Sequence, residues 1–573
     1  MIESPILVAL RERASLQADH TAFTFIDYEQ DWEGVSQSLT WAQLYRRSLN
    51  LAVDLEARGS TGDRAVILAP QGLDYIVAFL GALEAGFTAV PLSVPWAGIH
   101  DERVTAVLRD ASPSAILTTA AVVENVVPYA QPSAGNPIPA IVEVDALGPG
   151  VSNGSGARRH SQADIAYLQY TSGSTRAPTG VMVSNSNLAV NWEQILSGIA
   201  PDNRMPASTV SWLPFYHDMG LMMGFFAGIL GGWPTVVMDP VSFLQRPARW
   251  MQLLARNPQV FSAGPNFAFE LTAARTFDAD MAGLDLGDVA YIMSGAERVS
   301  PTTIGRFTQR FARFNLPESV IRPAYGLAEA TLFVAAGGSG RPADFVHFDR
   351  DELSAGHAVR TDSGTPLVGY GTARSPVVRI VDPETASENP AGTVGEIWVH
   401  GDNVSSGYWR RPVETEKTFG ATIVDPSPGT PEDRWLRTGD LGFVSEGELF
   451  VVGRLKDILI VRGRNHYPDD IETTVQEISG SRAAAIAVSG DSTEKLVVIV
   501  EFKKRGESEE HVADKLRAIK DRVSSAVTSS HGLRAEDVVL VAPGSIPITT
   551  SGKVRRAACV QLYQCDGFQR LGV

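Results

Sequence analysis

The chain of 573 residues is too long for one hydrophobic core, so two to four domains are expected. Its composition, 44% apolar and 20% charged, is that of an ordinary globular protein. The net charge of -16 argues against nucleic acid as a partner, because a phosphate backbone requires a basic surface. That charge does not exclude an anionic nucleotide in a local basic pocket.

Cysteine usage and hydropathy indicate the compartment. The two cysteines, Cys559 and Cys565, cannot build a disulfide framework or a cysteine-based metal site, which favours a reducing cytoplasm. Residues 1–13 predict a short amphipathic helix and not a signal peptide. The longest apolar run, at 221–237, is interrupted by glycines and by Pro234, so no transmembrane segment is predicted.

Helices and short strands alternate in the first part of the chain. The predicted elements are a helix at 41–58, a strand at 64–69, a helix at 73–85 and a strand at 88–92. This β-α-β rhythm recurs from 165 to 335 and predicts parallel sheets covered by helices.

The pattern changes twice further along the chain. From about residue 340 short strands such as 377–381 and 395–400 lie between proline and glycine turns, which predicts a small β-barrel. After the charged segment Gly453-Arg-Leu-Lys-Asp457 an α+β pattern resumes, with a strand at 496–502 and a helix at 511–527. We therefore predict an α/β multidomain protein. Its parts are a large N-terminal domain (1–453), with doubly wound α/β subdomains at about 1–165 and 166–340 and the barrel at 341–453, and a small α+β C-terminal domain (454–573).

A loop rich in Gly, Ser and Thr follows the apolar strand predicted at 165–170. The segment Leu168-Gln-Tyr-Thr-Ser-Gly-Ser-Thr-Arg-Ala-Pro-Thr-Gly180 offers hydroxyls and unshielded backbone N–H groups, which are the donors that surround a polyphosphate. It lacks the Gly-Lys-Ser/Thr of a Walker A loop. The loop indicates a nucleotide site of another type, but without further motifs a plain surface loop is the favoured interpretation.

Four further segments accompany this loop. They are Tyr325-Gly-Leu-Ala-Glu329, Trp435-Leu-Arg-Thr-Gly-Asp-Leu-Gly442, Gly453-Arg-Leu-Lys-Asp-Ile-Leu-Ile-Val-Arg-Gly-Arg-Asn465 and Pro547-Ile-Thr-Thr-Ser-Gly-Lys-Val-Arg-Arg556. In this order and spacing the five resemble the adenylate-forming superfamily of acyl-CoA synthetases, luciferases and peptide-synthetase adenylation domains. The resemblance covers nearly the whole chain and implies a mobile C-terminal domain.

Other segments narrow the resemblance to the fatty acyl-AMP ligases, in particular the mycobacterial type that supplies lipid-making polyketide synthases. They are Ser211-Trp-Leu-Pro-Phe-Tyr-His-Asp-Met-Gly-Leu221, Ser242-Phe-Leu-Gln-Arg-Pro-Ala-Arg-Trp250 and Arg464-Asn-His-Tyr-Pro-Asp-Asp-Ile-Glu472. An excess of chain at about 337–370 is similar to the insertion of that subgroup. This segment adds Phe345, His347, Phe348, Asp349 and Arg350. A surface embellishment is its simplest interpretation, and the resemblance implies that it packs on the large domain and limits the swing of the C-terminal domain.

The implied reaction joins a long-chain fatty acid to ATP with Mg²⁺, giving acyl-AMP and pyrophosphate. The resemblance further implies transfer of the acyl group to the phosphopantetheine thiol of an acyl carrier protein or polyketide synthase. A long-chain acyl-CoA synthetase is the first alternative. A catalytically silent protein that binds acyl-adenylate as a scaffold is the second.

The resemblance also implies roles for individual residues. Lys553 bridges the carboxylate and the α-phosphate, Glu329 is the Mg²⁺ ligand, and Lys456 is the hinge. His217 gates the passage between the nucleotide and acyl sites. ATP and AMP are bound by these residues together with Lys553: Thr171, Ser172, Gly173, Ser174, Thr175, Ser294, Gly295, Ala296, Tyr325, Gly326, Asp440 and Arg454.

Ordinary structural roles compete with each assignment. A basic run around Lys553 is typical of a solvated tail, and Glu329 is typical of a carboxylate at a helix start. Tyr325 is typical of a core aromatic, Asp440 of a turn beside glycine, and His217 of a hydrogen-bonded structural histidine. One departure from the superfamily pattern is Thr179, which stands where many members have lysine. We expect a phosphate contact to be lost there or to come from Arg176.

Overall fold

A computed structural model of the chain describes residues 3–98, 100–131, 138–148, 163–171, 178–199, 205–337, 342–371, 375–461, 464–489, 494–503, 509–549 and 552–571. The strands are β1 (Thr21–Asp27), β2 (Val35–Thr40), β3 (Arg64–Ile67), β4 (Thr88–Pro91), β5 (Ala115–Thr118), β6 (Ala140–Glu143), β7 (Ile165–Thr171), β8 (Thr179–Ser184), β9 (Ser208–Ser211), β10 (Thr235–Val237), β11 (Val260–Pro265), β12 (Tyr291–Gly295), β13 (Ile321–Gly326), β14 (Phe333–Ala336), β15 (Phe345–Phe348), β16 (Thr365–Val368), β17 (Val377–Val381), β18 (Gly395–His400), β19 (Leu436–Ser445), β20 (Glu448–Arg454), β21 (Leu459–Val461), β22 (Arg464–His466), β23 (Ala483–Ser489), β24 (Glu494–Glu501) and β25 (Ala535–Val541).

The α-helices are α1 (Pro5–Leu16), α2 (Trp41–Glu56), α3 (Leu73–Glu84), α4 (Glu102–Ala111), α5 (Val123–Val126), α6 (Asn185–Ile199), α7 (Ala227–Gly231), α8 (Pro240–Gln245), α9 (Ala248–Arg256), α10 (Asn266–Arg275), α11 (Pro301–Phe311), α12 (Arg350–Ser354), α13 (Pro412–Phe419), α14 (Pro468–Ser479), α15 (Glu509–His531) and α16 (Arg556–Gln564). A π-helix at Gly220–Phe226 leads directly into α7. Among the described residues, none of these helices combines the length and apolar character needed to cross a bilayer.

Local sequence explains why helix α2 begins at Trp41, as predicted. The hydroxyl of Thr40 accepts from the backbone N–H of Gln43, and the Gln43 side chain accepts from the backbone N–H of Thr40. This reciprocal cap satisfies two donors at the start of α2. The buried positions of α2 then recur with helical spacing, which places one apolar face against the core.

Two mixed sheets, each with a parallel centre, form the large part of the molecule. One has the order β6-β5-β3-β4-β7-β8, and the other has the order β14-β13-β12-β11-β9-β10-β1-β2. In the first sheet the edge strand β8 runs antiparallel to β7. In the second sheet both edge strands are antiparallel to their neighbours, β2 to β1 and β14 to β13. Helix α3 is buried along most of its length and contacts strands of both sheets.

Sheet membership differs from the subdomain boundary predicted at residue 165. Strands β7 and β8 belong to the sheet built by β3 to β6, whereas β1 and β2 belong to the sheet built by β9 to β14. The two α/β units therefore exchange segments of chain, because β1 pairs in parallel with β10 more than 200 residues away. The pairing of Phe23 with Thr235 shows the register of this exchange.

The β region that follows contains an antiparallel sheet in the order β17-β18-β19-β20 and the hairpin β15-β16. A bridge between Gly369 and Phe450 joins the hairpin side to β20. Beyond Arg454 the chain forms the three-stranded sheet β23-β24-β25 with α14, α15 and α16. That part, which we call the lid, has its own hydrophobic core of residues from 459 to 540.

Candidate active site

Four of the predicted site residues lie at or after the carboxyl ends of strands that have a parallel neighbour. Thr171 ends β7, Gly295 ends β12, Gly326 ends β13, and His217 follows the end of β9. Ligands of α/β sheets bind at this edge because loops of variable sequence converge there. Ser172, Gly173, Ser174, Thr175 and Arg176 lie outside the described residues.

Three of the predicted nucleotide residues are brought together by hydrogen bonding. The Tyr325 hydroxyl donates to Asp440 Oδ2 over 2.9 Å, and Arg454 Nε lies 3.2 Å from Asp440 Oδ1. Asp440 on β19 and Arg454 on β20 are direct partners in the sheet register. Burial raises the pKa of Tyr325 far above 10, so its phenol stays protonated and remains a donor.

The segment Ser294 to Ala296 packs beside Tyr325 through its backbone. Ser294 pairs with Pro323 of β13, and a Cβ at Gly295 would lie 2.8 Å from the Ala324 carbonyl oxygen. Ala296 has a φ of 64°, a left-handed conformation that turns the chain sharply at the end of β12. Ser294 and Gly295 are buried and Ala296 is half-buried, so the segment ends at the edge of the core beside Tyr325.

Glu396, which the sequence analysis did not single out, supports the turn that carries Asp440. Its Oε1 accepts from the backbone N–H of Gly439 over 3.0 Å. Its Oε2 accepts from Trp398 Nε1 over 2.9 Å and from Arg437 Nη2 over 2.7 Å. A buried carboxylate with this many donors is a rigid support, because each lost donor would leave charge unsatisfied.

Glu329 lies in a 3₁₀ turn directly after β13. The Tyr408 hydroxyl donates to Glu329 Oε1 over 2.8 Å, and the backbone N–H of Ser405 donates to the Glu329 carbonyl oxygen over 2.9 Å. Burial raises the pKa of Glu329, and the Tyr408 hydrogen bond opposes that rise. Tyr408 also forms a β-bridge with Val181, so it links Glu329 to β8.

A single carboxylate is the donor set that Mg²⁺ uses when substrate phosphates and waters complete its octahedron. Glu329 fits that chemistry. Within the described ranges, no group of three or more His, Cys, Asp or Glu side chains forms a protein-only metal site.

Lys553 belongs to the lid, and the turn that carries it contacts the large part of the molecule. Gly552 before it has a φ of +87°, and a Cβ there would lie 3.4 Å from Phe267 Cε1 of the large part. The backbone N–H of Thr549 donates to the Lys553 carbonyl oxygen over 2.7 Å, which closes the turn. Burial lowers the pKa of Lys553, Arg454 lowers it further, and Asp218, Glu297 and Asp440 oppose the change.

His217 lies one residue from Asp218, at the approach to the π-helix. Its backbone N–H donates to the Pro214 carbonyl oxygen over 3.1 Å, and its ring centroid is 4.9 Å from that of Tyr216. Burial raises the pKa of Asp218, while Lys553 lowers it. The structure therefore adds Asp218, the chain neighbour of His217, and Glu297 to the acidic groups that act electrostatically on Lys553.

Lys456 lies in a 3₁₀ turn, Leu455–Asp457, between the last strand of the large part and the first strand of the lid. Burial lowers its pKa, and Arg454 lowers it further. The position agrees with that of a hinge, and rotation about it stays a prediction.

Residues 342–370 of the predicted insertion contact both parts of the molecule. Phe348, Leu353 and Leu367 share a core with Phe443 and Phe450 of the β region and with Tyr467 of the lid. Arg350 donates to the Ser530 carbonyl oxygen, and Arg464 Nη1 lies 2.9 Å from Asp351 Oδ1. The segment thus packs against the β region and also touches the lid, while its role as a family insertion stays a prediction.

These features define a class of enzyme. A large N-terminal part with two mixed sheets and a β region is followed by a smaller C-terminal lid that carries Lys553, which is the architecture of the adenylate-forming fold. The family model described as AMP-binding enzyme matches residues 10–409, and the model described as Disco-interacting protein 2-like, AMP domain, matches 456–570. The chain belongs to the AMP-binding enzyme family.

Full-length relatives carry two kinds of name. A Mycobacterium bovis protein named long-chain-fatty-acid–AMP ligase FadD28 is 60% identical over 100% of both chains. A Mycobacterium leprae protein is 58% identical over 100% of both chains, and its name, fatty-acid–CoA ligase fadD21, is provisional. Among solved structures, the Legionella pneumophila fatty acyl-adenylate ligase in complex with acyl adenylate and pyrophosphate is 31% identical over 98% of this chain and 96% of that one, with a TM-score of 0.74.

Proposed function

We propose that this chain activates a long-chain fatty acid with ATP, releases pyrophosphate and holds the resulting acyl-adenylate. The observation that carries the proposal is the placement of Lys553. A lid residue lies within the electrostatic influence of Arg454, Asp218, Glu297 and Asp440 of the large part. We infer that this cation meets the acyl carboxylate and the α-phosphate of ATP.

The chemistry requires no general base. A fatty carboxylate has an ordinary pKa near that of Glu, about 4.3, and is ionised at neutral pH. Its oxygen attacks the α-phosphorus, the bond to the β-phosphate oxygen breaks, and pyrophosphate leaves with the electron pair. The barrier is repulsion between anions, so positioning and charge neutralisation dominate catalysis.

Individual residues divide this work. Asp440 accepts from the ribose hydroxyls, with Arg454 and Tyr325 fixing its carboxylate, and Lys553 neutralises the approaching carboxylate and the α-phosphate. His217 separates the nucleotide from the acyl chain. Glu329 would hold Mg²⁺, which supplies neutralisation of the leaving pyrophosphate when bound.

We further propose that the acyl group passes to the phosphopantetheine thiol of an acyl carrier protein or polyketide synthase. The thiol sulfur attacks the acyl carbonyl carbon, the bond to AMP breaks, and the thiol proton goes to solvent. The insertion supports this preference over free CoA because it joins the large part to the lid.

The two unpaired cysteines support a cytoplasmic location.

The decisive test is a product assay. The protein is incubated with ATP, Mg²⁺ and a C12 or C16 fatty acid, with and without CoA, and acyl products are identified by mass spectrometry. Acyl-AMP that persists with CoA supports the proposal. Acyl-CoA would favour the synthetase activity that the name of the M. leprae relative suggests. No pyrophosphate release with any fatty acid would favour a silent scaffold.

Lys553→Ala tests the assigned lysine within the same assay. We expect adenylation to be abolished while ATP binding, measured by calorimetry, is largely retained. Lys503→Ala is the matched control, because Lys503 is an exposed lid lysine far along the chain from the site turn. Retained adenylation in Lys553→Ala would overturn the lysine assignment without touching the overall proposal.

A further inference from the structure

A half-buried ion pair between Arg298 and Asp470 joins the loop after β12 to the lid. Arg298 Nη1 lies 2.6 Å from Asp470 Oδ1, and the two side chains are 18% and 21% exposed. Arg298 belongs to the loop after β12, and Asp470 lies in the first turn of α14 in the lid. A pair sheltered to this degree is screened less than an exposed one.

On the lid side, the first turn of α14 is tied to the turn that carries Lys553. Asp469, next to Asp470, accepts from Arg556 Nη2 over 2.7 Å, and Glu472 accepts from the same nitrogen over 2.6 Å. Arg556 also reaches Asp457 over 3.1 Å. Arg556 begins α16, three residues after Lys553, so its ion pairs connect the start of α14 to the lysine turn.

On the large side, Arg298 is tied to the surface that receives Lys553. It follows Glu297, whose carboxylate raises the pKa of Lys553 and accepts from the backbone N–H of Phe267 over 2.8 Å. Phe267 is the ring that lies against Gly552. The ion pair is therefore a second connection between the two parts, beside the contact of Phe267 with the turn that carries Lys553.

We propose that Arg298 and Asp470 are a positioning pair that holds the lid in the arrangement that forms the adenylate. Neither side chain is among the groups assigned to ATP or the fatty acid, so the pair acts through Lys553. Breaking the pair slows acyl-AMP formation, leaves ATP affinity in place and does not slow the later attack of a thiol, which needs no Lys553 at the α-phosphate. This inference rests on the proposed function.

The test is a double-mutant cycle on the full chain, using Arg298→Gln, Asp470→Asn and the combined variant. For a pair of intermediate exposure we expect about a tenfold fall in kcat for acyl-AMP formation in each single variant. The KM for ATP should stay within about twofold. The combined variant should resemble the singles, because removing the second partner of a broken pair costs little more.

A second readout separates positioning from general support of the fold. Preformed acyl-AMP is mixed with pantetheine, and thioester formation is followed. We expect the variants to match or exceed the unmodified chain in this step. Arg464→Gln is the control: Arg464 also connects the lid to the large part, but that pair is 57% and 82% exposed and should contribute little.

Three outcomes would overturn the inference. They are unchanged acyl-AMP formation in both single variants, a combined loss near the product of the two single losses, or an equal loss in the pantetheine step. If the unmodified chain forms no acyl-AMP from any fatty acid, the proposed function fails and this inference fails with it. If that chain is active and the variants equal it, only the positioning pair fails.

Discussion

Tyr408→Phe would remove one oxygen and test whether Glu329 needs an oriented carboxylate. The Tyr408 hydroxyl donates to Glu329 Oε1 over 2.8 Å, and both side chains are largely shielded from solvent. Phenylalanine keeps the ring, which packs edge-on against Phe419 at a centroid distance of 5.1 Å. The substitution therefore deletes the hydrogen bond while leaving most of the packing unchanged.

The expected size follows from the charge on the acceptor. A hydrogen bond to an ionised group contributes about 1.5–3 kcal/mol. Residues that orient a metal ligand typically change metal affinity or activity by about 10–100-fold when replaced. We expect the Mg²⁺ concentration for half-maximal activity to rise by about tenfold or more, with the KM for the fatty acid little changed.

The assay is pyrophosphate release at fixed ATP and fatty acid over a Mg²⁺ titration. Tyr563→Phe is the matched control, because the Tyr563 hydroxyl also donates to a carboxylate, Asp537 Oδ2 over 3.2 Å, but on the lid surface. A Mg²⁺ dependence in Tyr408→Phe that equals that of the unmodified chain would refute the role of Tyr408. An equal shift in Tyr563→Phe would show that the effect is not local.

Three further substitutions test charge and burial. Glu297→Gln removes a negative charge that raises the pKa of Lys553; because Lys553 must be protonated to act, the alkaline limb of kcat against pH should move to lower pH. Tyr325→Phe deletes the donor to Asp440 and should raise the KM for ATP about fivefold, as measured by pyrophosphate release. Burial raises the pKa of Glu84 from 4.5 to about 7, so its favourable contribution to stability is complete below pH 4.5 and lost as pH rises through 7. Thermal melting should therefore show Glu84→Gln to be more stable than the unmodified chain, by up to roughly 3 kcal/mol at pH 8 and by less at pH 5. An equal gain at both pH values would contradict the raised pKa of Glu84.

Local pattern predicted the elements well. The strands Val377–Val381 and Gly395–His400 have the predicted bounds, and the helix predicted at 41–58 is observed as Trp41–Glu56. Alternation and helical spacing report which face of an element is buried, so such elements can be recognised from sequence. The exchange of β1 and β7 between sheets was missed, because periodicity does not say which strand an element pairs with.

The site also contains contacts that local sequence patterns could not predict, because the residues involved lie far apart in the chain. Tyr325, Asp440 and Arg454 were predicted from the family resemblance, and the structure joins them. The contact of Tyr408 with Glu329 spans 79 residues and leaves no local trace in the sequence. Asp218 lay within a recognised segment, but nothing there indicates that it faces Lys553. That relation exists only once the lid has docked.

The contacts of the insertion indicate which of its interactions resists lid movement. Its ion pair with the lid is exposed, and pairs of that kind contribute about 0–1 kcal/mol. Phe348, by contrast, is fully buried, with centroids 4.8 Å from Phe443 and 5.0 Å from Phe450, and Tyr467 of the lid completes the same core. Rotation about Lys456 would draw Tyr467 out of this core and expose apolar surface. Within the insertion, packing therefore resists lid movement more than its exposed ion pair does, because the ion pair is screened by salt and the buried rings are not.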